Sequence, residues 1–330
     1  MSAPFIQVKN LKKHFDTKKG PLHAVDDVTF DINKGETLGL VGESGCGKST
    51  TGRAVIRLLE PSSGEVLFNG SDILPLPKKE MKAMRAKMQM VFQDPYSSLN
   101  PRLSVSEIIS EPLDVKGLGS SADRTKRVAE LMDIVGLGSR LANAYPHELD
   151  GGRRQRVGIA RALALNPEFL VLDEPVSALD VCIQAQVLNL LDTLQKEMGL
   201  TYLFISHDLS VVHHVSDRIA VMYLGRIVEM ADYKTIFNAP VHAYTKALLS
   251  AITIPKPNLD RERIILEGDV PSPINPPPGC RFAGRCYYEK IGACTSETPA
   301  LNEVSPGHFV ACHLAEQVMA DQMQGEAKAV

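Results

Sequence analysis

The feature that most constrains the fold is residues 42–49, which read Gly-Glu-Ser-Gly-Cys-Gly-Lys-Ser. This segment matches the phosphate-binding pattern G-x-x-x-x-G-K-[S/T] in full. The pattern needs a strand before it and a helix after it. Residues 37–42 form a short apolar run, and residues 48–60 read as a helix. The sequence therefore predicts a strand–loop–helix unit that binds the phosphates of a nucleotide.

Each part of this phosphate loop has a predicted task. Glycines let successive backbone N–H groups point inward at the phosphates, and the helix N-terminus adds partial positive charge. Lys48 is expected to neutralise the β- and γ-phosphates, and the Ser49 hydroxyl to bind Mg²⁺. The alternative is a glycine-rich turn that only happens to precede Lys-Ser. The predicted nucleotide contacts are Gly42, Glu43, Ser44, Gly45, Cys46, Gly47, Lys48, Ser49 and Thr50.

A second candidate element is the apolar run 169–172, which ends in two acids. Asp173 is expected to hold Mg²⁺ directly or through water, and Glu174 to act as the base that activates the attacking water. Alone, such an ending is also ordinary turn chemistry. It gains force from the phosphate loop because both lie where strands of an α/β sheet end. His207 follows the next apolar run and is either a γ-phosphate contact or a structural residue.

The order of elements predicts an α/β fold. Residues 5–9 and 25–32 alternate as antiparallel strands do, whereas 169–174 and 201–206 are continuous apolar runs typical of buried parallel strands. Residues 94–165 read as a helical insertion. From Pro255 the composition shifts to Pro, Gly and Cys, which predicts a small module with little regular structure. The predicted domains are residues 1–254 and 255–330.

Charge and hydropathy limit the possible settings of the chain. The net charge of −3 gives no basic excess for binding nucleic acid. No run approaches the roughly 18 apolar residues that cross a bilayer, and the first residues lack a signal-peptide core. We therefore expect the chain to stay in the cytosol, so that any membrane process would need another subunit.

Four of the six cysteines lie close together near the end of the sequence. They are Cys280, Cys286, Cys294 and Cys312, spaced C-x5-C-x7-C-x17-C. Clustered thiols in a reducing compartment more often hold metal than form disulfides. Zinc usually takes tight C-x2-C pairs, whereas wider loops suit an iron–sulfur cluster in which each iron takes one cysteine. Zinc, free thiols and disulfides stay open as alternatives.

These pieces together resemble the nucleotide-binding subunits of ABC transporters. The resemblance implies a RecA-like P-loop NTPase core with an antiparallel β subdomain and a helical subdomain. Gln93 resembles the Q-loop glutamine, which implies contact with Mg²⁺, the γ-phosphate and the transmembrane partner. His207 looks like the switch histidine. Residues 177–180 look like the D-loop, which acts across a dimer. Phe15 lies where the family stacks an aromatic on adenine, although a core aromatic is the alternative.

The signature sequence of this family departs from its usual Leu-Ser-Gly-Gly-Gln. Here Asp150, Gly151, Gly152 and Arg153 follow Leu149. The resemblance implies that these residues complete, in trans, the nucleotide site of the opposite subunit. An ionised aspartate cannot donate to a phosphate and repels it. Either the signature is degenerate and the partner's site is slow, or Arg153 folds towards the phosphate and offsets Asp150. Both readings favour a heterodimer.

The C-terminal region resembles that of oligopeptide and dipeptide transporter ATPases, in which four cysteines hold a [4Fe–4S] cluster. The resemblance implies an ATP-hydrolysing subunit for import of di- or oligopeptides. It would lie peripherally on the cytoplasmic face of the inner membrane. Implied partners are a second ATPase subunit, two transmembrane permeases and an extracytoplasmic binding protein, with no nucleic acid. Alternatives are the same role for nickel or sugar, or a soluble ABC ATPase that acts on nucleic acid.

Overall fold

The computed structural model describes residues 3–252, 263–288 and 290–328. Its strands alternate with helices through most of the chain. The strands are β1 (Ile6–Thr17), β2 (Gly20–Ile32), β3 (Thr37–Val41), β4 (Ser63–Phe68), β5 (Ser71–Asp72), β6 (Met88–Val91), β7 (Phe169–Asp173), β8 (Thr201–Ser206), β9 (Arg218–Tyr223), β10 (Arg226–Asp232), β11 (Asn302–Ser305) and β12 (His308–Val310).

The helices differ widely in length, from one turn to about five. They are α1 (Lys48–Val55), α2 (Lys78–Lys87), α3 (Pro95–Ser98), α4 (Val105–Lys116), α5 (Ser121–Ile134), α6 (Gly151–Leu163), α7 (Val181–Met198), α8 (Leu209–Val215), α9 (Tyr233–Asn238), α10 (Ala243–Ser250), α11 (Ala293–Ser296) and α12 (Ala315–Lys328). The contacts divide the chain into two compact units, each made of several segments.

The first unit is built mainly from Leu67–Ile205 and Ile32–Thr37. Its strands β6, β7 and β8 are parallel, and Asp173 at the end of β7 pairs with Ile205. Every residue of β7 and β8 is buried. Burial on both faces explains the continuous apolar runs in the sequence. The register places the residues that follow β6 and β7 at one edge of this sheet.

Helices and turns alone fill the described residues between Pro95 and Leu163 in this unit. Local sequence explains where the longer helices begin. Ser104 Oγ accepts a hydrogen bond from the amide of Glu107, and the Glu107 carboxylate accepts one from the amide of Ser104. Ser120 and Asp123 form the same reciprocal pair, so two capping boxes are present. This stretch lies within residues 94–165, which the sequence predicts as a helical insertion.

The second unit comprises Gln7–Asp31, Leu38–Val66 and the chain from Ser206. One of its sheets contains β2, β1 and β4 in that order. Another contains β11, β12, β10, β9 and β3 in that order. β3 and β9 are parallel, with Leu38 opposite Arg218 and Val41 opposite Val221, while β10 and β12 are antiparallel to their neighbours.

The C-terminal region is more regular than its composition suggests. Strand β12 pairs with β10, where Glu229 lies opposite Val310, and β11 adds to β12. His308 contacts the fully buried Glu229 at 2.8 Å, Nε2 to Oε1. The expectation of little regular structure is therefore wrong for β11, β12 and α12, because their backbone is paired with β10 or helical. Part of the predicted module, residues 255–262, lies outside the described residues.

Candidate functional site

The phosphate loop follows β3 directly and needs glycine at both ends. Gly42 has φ 155° and Gly47 has φ 110°. A Cβ at Gly42 would lie 2.1 Å from the carbonyl oxygen of Met222, and one at Gly47 would lie 2.1 Å from that of Ala24. No L side chain fits these close approaches at positive φ. The two glycines therefore fix the path of the loop between β3 and α1.

Lys48 is buried within its own loop. Its Nζ donates to the carbonyl oxygens of Gly42 at 2.8 Å and Glu43 at 2.9 Å, and the residue is 4% exposed. Gly47, the N-cap of α1, makes no side-chain capping hydrogen bond. The positive end of α1 and the ammonium of Lys48 thus lie at the same loop, and both favour an anion.

Cys46 lies inside the loop, 4.0 Å from Lys48 as measured from Sγ to Nζ. Burial raises the pKa of its thiol, although the Lys48 charge acts in the opposite direction. The side chain is therefore a neutral thiol at pH 7, and it occupies the loop as a small apolar group.

Glu174 and Gln93 meet in the first unit. Gln93 Nε2 donates to Glu174 Oε2 at 2.8 Å, and Glu174 is 8% exposed. The Glu174 amide donates to Ile205 at 2.9 Å, which fixes the backbone just beyond β7. Glu174 also has φ 46°, in the left-handed region that non-glycine residues rarely adopt. Glu174, with a strained backbone and a buried carboxylate, is the residue that the sequence assigns as the base.

The signature residues begin α6. Asp150 Oδ1 accepts from the amide of Arg153 at 2.7 Å, and its Oδ2 lies 3.4 Å from Arg153 Nε. Asp150 is thus the N-cap of α6 and an ion-pair partner of Arg153. A Cβ at Gly152 would lie 2.4 Å from Ile183 Cγ2, so packing against α7 requires glycine there. At Gly151 it would lie 3.0 Å from Leu179 in the predicted D-loop.

Phe15 and His207, both in the second unit, are exposed. Phe15 is 37% exposed on β1, with the Lys13 ammonium 5.0 Å from its ring centroid. The alternative that Phe15 is a core aromatic is therefore wrong. His207 lies immediately after β8, as the sequence indicates. The structure thus brings Gln93 to Glu174, and it places the Lys48 ammonium against the carbonyl oxygens at the start of its own loop.

The four clustered cysteines, Cys280, Cys286, Cys294 and Cys312, line one pocket of the second unit. Burial raises the pKa of Cys280 to about 11, and the other sulfurs act in the same direction. All the cysteines are free thiols in the structure. The disulfide alternative is therefore not realised.

A second group with metal-ligating side chains is His14, His23 and Asp26, whose ligand atoms lie within 4.8 Å of one another. Each histidine contacts a different Asp26 oxygen at 3.3 Å. Arg281 and Arg226 also pair with that carboxylate. Because two guanidinium groups already neutralise Asp26, a divalent cation there would meet repulsion. We interpret this group as an ion-pair network.

Comparisons with known proteins agree on the family. The family described as "ABC transporter" matches residues 25–177, and "Oligopeptide/dipeptide transporter, C-terminal region" matches residues 228–294. The chain is 56% identical over 315 residues to a putative oligopeptide transport ATP-binding protein, YkfD of Bacillus subtilis, covering 94% of this chain and 95% of that protein. This chain belongs to the ABC transporter ATP-binding proteins.

A further relative of this ABC ATPase is the oligopeptide transport ATP-binding protein OppF of Bacillus subtilis, 54% identical over 96% of this chain and 98% of OppF. Among solved structures, the MJ0796 cassette in a dimeric post-hydrolysis state bound to ADP and Pi is similar with a TM-score of 0.64 and 33% identity. It covers 69% of this chain and 98% of that one. The predicted P-loop NTPase fold is confirmed.

In the part of the ABC ATPase that the structure describes, no helix has the length and hydropathy for crossing a bilayer.

Sequence reasoning missed two phosphate-loop contacts. Tyr244 Oη accepts from the amide of Glu43 at 2.8 Å, and Arg285 Nη1 lies 3.2 Å from its carboxylate. Both partners lie about 200 residues or more along the chain from Glu43. No local pattern could reveal a contact at that separation.

Proposed function

We propose that this chain hydrolyses ATP to power the import of di- or oligopeptides across the cytoplasmic membrane. The observation that carries the proposal is similarity, at more than half identity and over at least 94% of this chain, to proteins named for oligopeptide transport. The match of residues 228–294 to the oligopeptide/dipeptide transporter C-terminal region supports it independently. None of these similarities favours nickel, sugar or nucleic acid.

The chain's own residues would divide the reaction as follows. Loop amides and the Lys48 ammonium bind the phosphates. Ser49, Gln93 and Asp173 supply oxygen ligands of the kind that Mg²⁺ prefers, and bound Mg²⁺ neutralises charge on the phosphates. Glu174 takes the proton of the attacking water. The Gln93 amide orients the carboxylate for that task, and His207 contacts the γ-phosphate.

The ATPase would work as a dimer in which each signature completes the opposite site. The contact between Asp150 and Arg153 supports the interpretation in which arginine offsets the aspartate. Capping of α6 uses one carboxylate oxygen, the ion pair uses the other, and the Arg153 guanidinium keeps further donors for a phosphate. A second, different ATPase subunit with an intact signature would suit this arrangement.

Coupling to transport requires membrane partners. We infer two transmembrane permease subunits and an extracytoplasmic binding protein, with this chain peripheral on the cytoplasmic face. ATP binding would shift the assembly towards a closed dimer, and hydrolysis with phosphate release would reopen it. The Q-loop region around Gln93 would pass that change to the permeases.

We also propose that the four-cysteine pocket holds a [4Fe–4S] cluster. Four thiols from one pocket supply the donor set of such a cluster. Tetrahedral zinc with bonds of about 2.3 Å needs sulfurs only about 3.8 Å apart. In the described chain, no three of these sulfurs lie within 4.8 Å of one another. The described thiols therefore do not form a ready tetrahedral zinc site, and the support for the cluster is their shared pocket.

Two experiments test these proposals. Proteoliposomes that hold this chain and its co-purified permeases should accumulate a labelled peptide when ATP is supplied. Lys48→Ala should abolish that uptake. ATP hydrolysis that neither peptide nor binding protein stimulates would contradict peptide import. Anaerobically purified chain should be brown with about four irons per chain. Colourless protein with stoichiometric zinc would replace the cluster with a zinc site.

A further inference from the structure

Residues 280–286, here called the linking segment, run from one pocket cysteine to the next. The sequence is Cys-Arg-Phe-Ala-Gly-Arg-Cys. The segment is tightly turned, because the amide of Ala283 donates to the carbonyl oxygen of Cys280 at 3.0 Å and the amide of Arg285 donates to that of Phe282 at 2.9 Å. The Cys280 amide also donates to the backbone carbonyl oxygen of Cys294 at 2.9 Å, which ties the segment to a third pocket cysteine.

Arg285 carries the segment's contact with the phosphate loop. Its Nη1 lies 3.2 Å and 3.3 Å from the two Glu43 carboxylate oxygens. The side chain of Arg285 is only 11% exposed and that of Glu43 is 31% exposed. Water screens such a pair less than a fully exposed one, and its hydrogen bonds are charge-assisted. The contact therefore restrains the second residue of the loop.

Glu43 is also held from its backbone. Its amide donates to Tyr244 Oη at 2.8 Å, and its carbonyl accepts from Lys48 Nζ at 2.9 Å. Tyr244 is fully buried and packs against Phe282 of the linking segment, with ring centroids 5.5 Å apart. The segment therefore restrains Glu43 directly through Arg285 and indirectly through the ring that Phe282 packs against.

The other end of the loop is held through Arg281. Arg281 Nη1 donates to the carbonyl oxygen of Leu224. Gly225 follows Leu224, and its amide donates to the carbonyl oxygen of Cys46 at 2.7 Å. Arg281 Nη2 also pairs with the buried Asp26. The seven-residue segment thus contacts the phosphate loop directly at Glu43, through Arg285, and reaches Cys46 indirectly, through the turn at Gly225.

We propose that Arg285 is a positioning residue for ATP binding, which holds Glu43 and hence the phosphate loop from a segment anchored at Cys280 and Cys286. A group that binds both end sulfurs closes the segment and limits its conformations. Occupation of the cysteine pocket then favours the ordered loop and tighter nucleotide binding. Linkage requires the reciprocal effect of nucleotide on the pocket. The link to the cysteines rests on the proposed metal site, whereas the Arg285 contact does not.

A double-mutant cycle on the full chain tests the positioning role. We expect Arg285→Met and Glu43→Gln each to weaken the Kd of Mg-ATP about tenfold, and the double variant to be no weaker than either single one. For Arg285→Met, turnover at saturating ATP should fall less than twofold while KM rises, and Arg285→Lys should recover part of the affinity. Kd within twofold of wild type, or losses that multiply in the double variant, would overturn the proposal.

A matched control is Arg218→Met. Arg218 also forms an ion pair in this unit, with Asp31 at 3.4 Å, but it lies opposite Leu38, at the far end of β3 from the loop. We expect its Kd for Mg-ATP to stay within twofold of wild type. A tenfold loss there would mean that any ion pair of the unit supports binding, which contradicts a specific role for Arg285.

The cysteine arm uses Cys280→Ser/Cys286→Ser, with iron and zinc measured on the same samples. We expect Kd to weaken about tenfold and Arg285→Met to add nothing further on that background. If Arg285→Met adds its full factor, or if metal is lost with Kd unchanged, the anchoring is wrong although the metal site stands. If the wild type holds no metal, the metal proposal fails, and the cycle between Arg285 and Glu43 still decides the positioning role.

Discussion

Gln93 donates through Nε2 to Glu174 Oε2 at 2.8 Å, so an amide from the residues after β6 holds the carboxylate just beyond β7. The parallel register of these strands explains the contact. This hydrogen bond fixes the orientation of the carboxylate, as the proton transfer expected of a general base requires. The contact links a residue expected to face the permeases with the residue expected to activate water.

Glu174→Gln should retain nucleotide binding and lose hydrolysis. The amide has nearly the same shape but cannot take a proton from water, so we expect kcat to fall by about 10²–10⁴. The Kd for Mg-ATP should change less than threefold by equilibrium titration. A variant that hydrolyses ATP within fivefold of wild type would show that another group is the base.

Gly42→Ala should abolish nucleotide binding. Its Cβ would lie 2.1 Å from the Met222 carbonyl oxygen, and φ is 155°, so the loop must move. The control is Gly158→Ala in α6, where an added Cβ meets nothing within 4 Å. That control should bind Mg-ATP normally and gain up to about 1 kcal/mol in unfolding free energy. Normal binding by Gly42→Ala would contradict the described loop.

The signature pair gives a third prediction. Arg153→Gln leaves the Asp150 charge without its partner, so ATP turnover of the assembled transporter should fall about fivefold or more. Asp150→Ser combined with Arg153→Gln removes both charges and should return turnover to within twofold of wild type. If the double variant instead exceeds wild type about tenfold, the natural signature is degenerate and Arg153 does not offset Asp150.

The Asp26 network predicts how stability depends on pH. Burial alone would raise the pKa of Asp26, but Arg281 and Arg226 lower it from 3.8 to about 2. A lowered folded pKa means that the unfolded chain binds the proton first as the pH falls. The stabilisation, about 2 kcal/mol, is therefore complete above about pH 4 and is lost as the pH falls towards 2.

Urea unfolding of Asp26→Asn checks this prediction. The difference in unfolding free energy from wild type should be largest above pH 4 and shrink at pH 2.5. Asp192→Asn, which removes an exposed pair with Lys196, should change stability by less than about 1 kcal/mol at every pH. A constant difference between wild type and Asp26→Asn across this range would show that ionisation of Asp26 contributes nothing.

Sequence reasoning reached the parts of this ABC ATPase that local patterns encode. The glycines of the phosphate loop and the apolar run before Asp173 each carry a local physical signature, and β3, α1 and β7 follow it. The contacts of Glu43 do not, because Arg285 and Tyr244 reach it through tertiary packing. The ion pair between Asp150 and Arg153 also could not be predicted, because the side-chain rotamers decide whether these two residues meet.

The C-terminal strands show a different limit. Strand β12 has only three residues, too few for an alternating pattern. It pairs with β10, and a buried contact joins His308 of β12 to Glu229 of β10, which are 79 residues apart. Proline- and cysteine-rich composition in the preceding stretch gave no sign of that pairing. Short strands added to an existing sheet are fixed by tertiary contacts of this kind.

The central claim is that the phosphate loop binds ATP through Lys48 and its own backbone. Equilibrium titration of the purified chain with Mg-ATP tests it most directly, with Lys48→Ala beside the wild type. We expect saturable binding at one site per chain and a loss of affinity of about a hundredfold in the variant. Equal affinity of the two proteins, or no binding by either, would contradict the account.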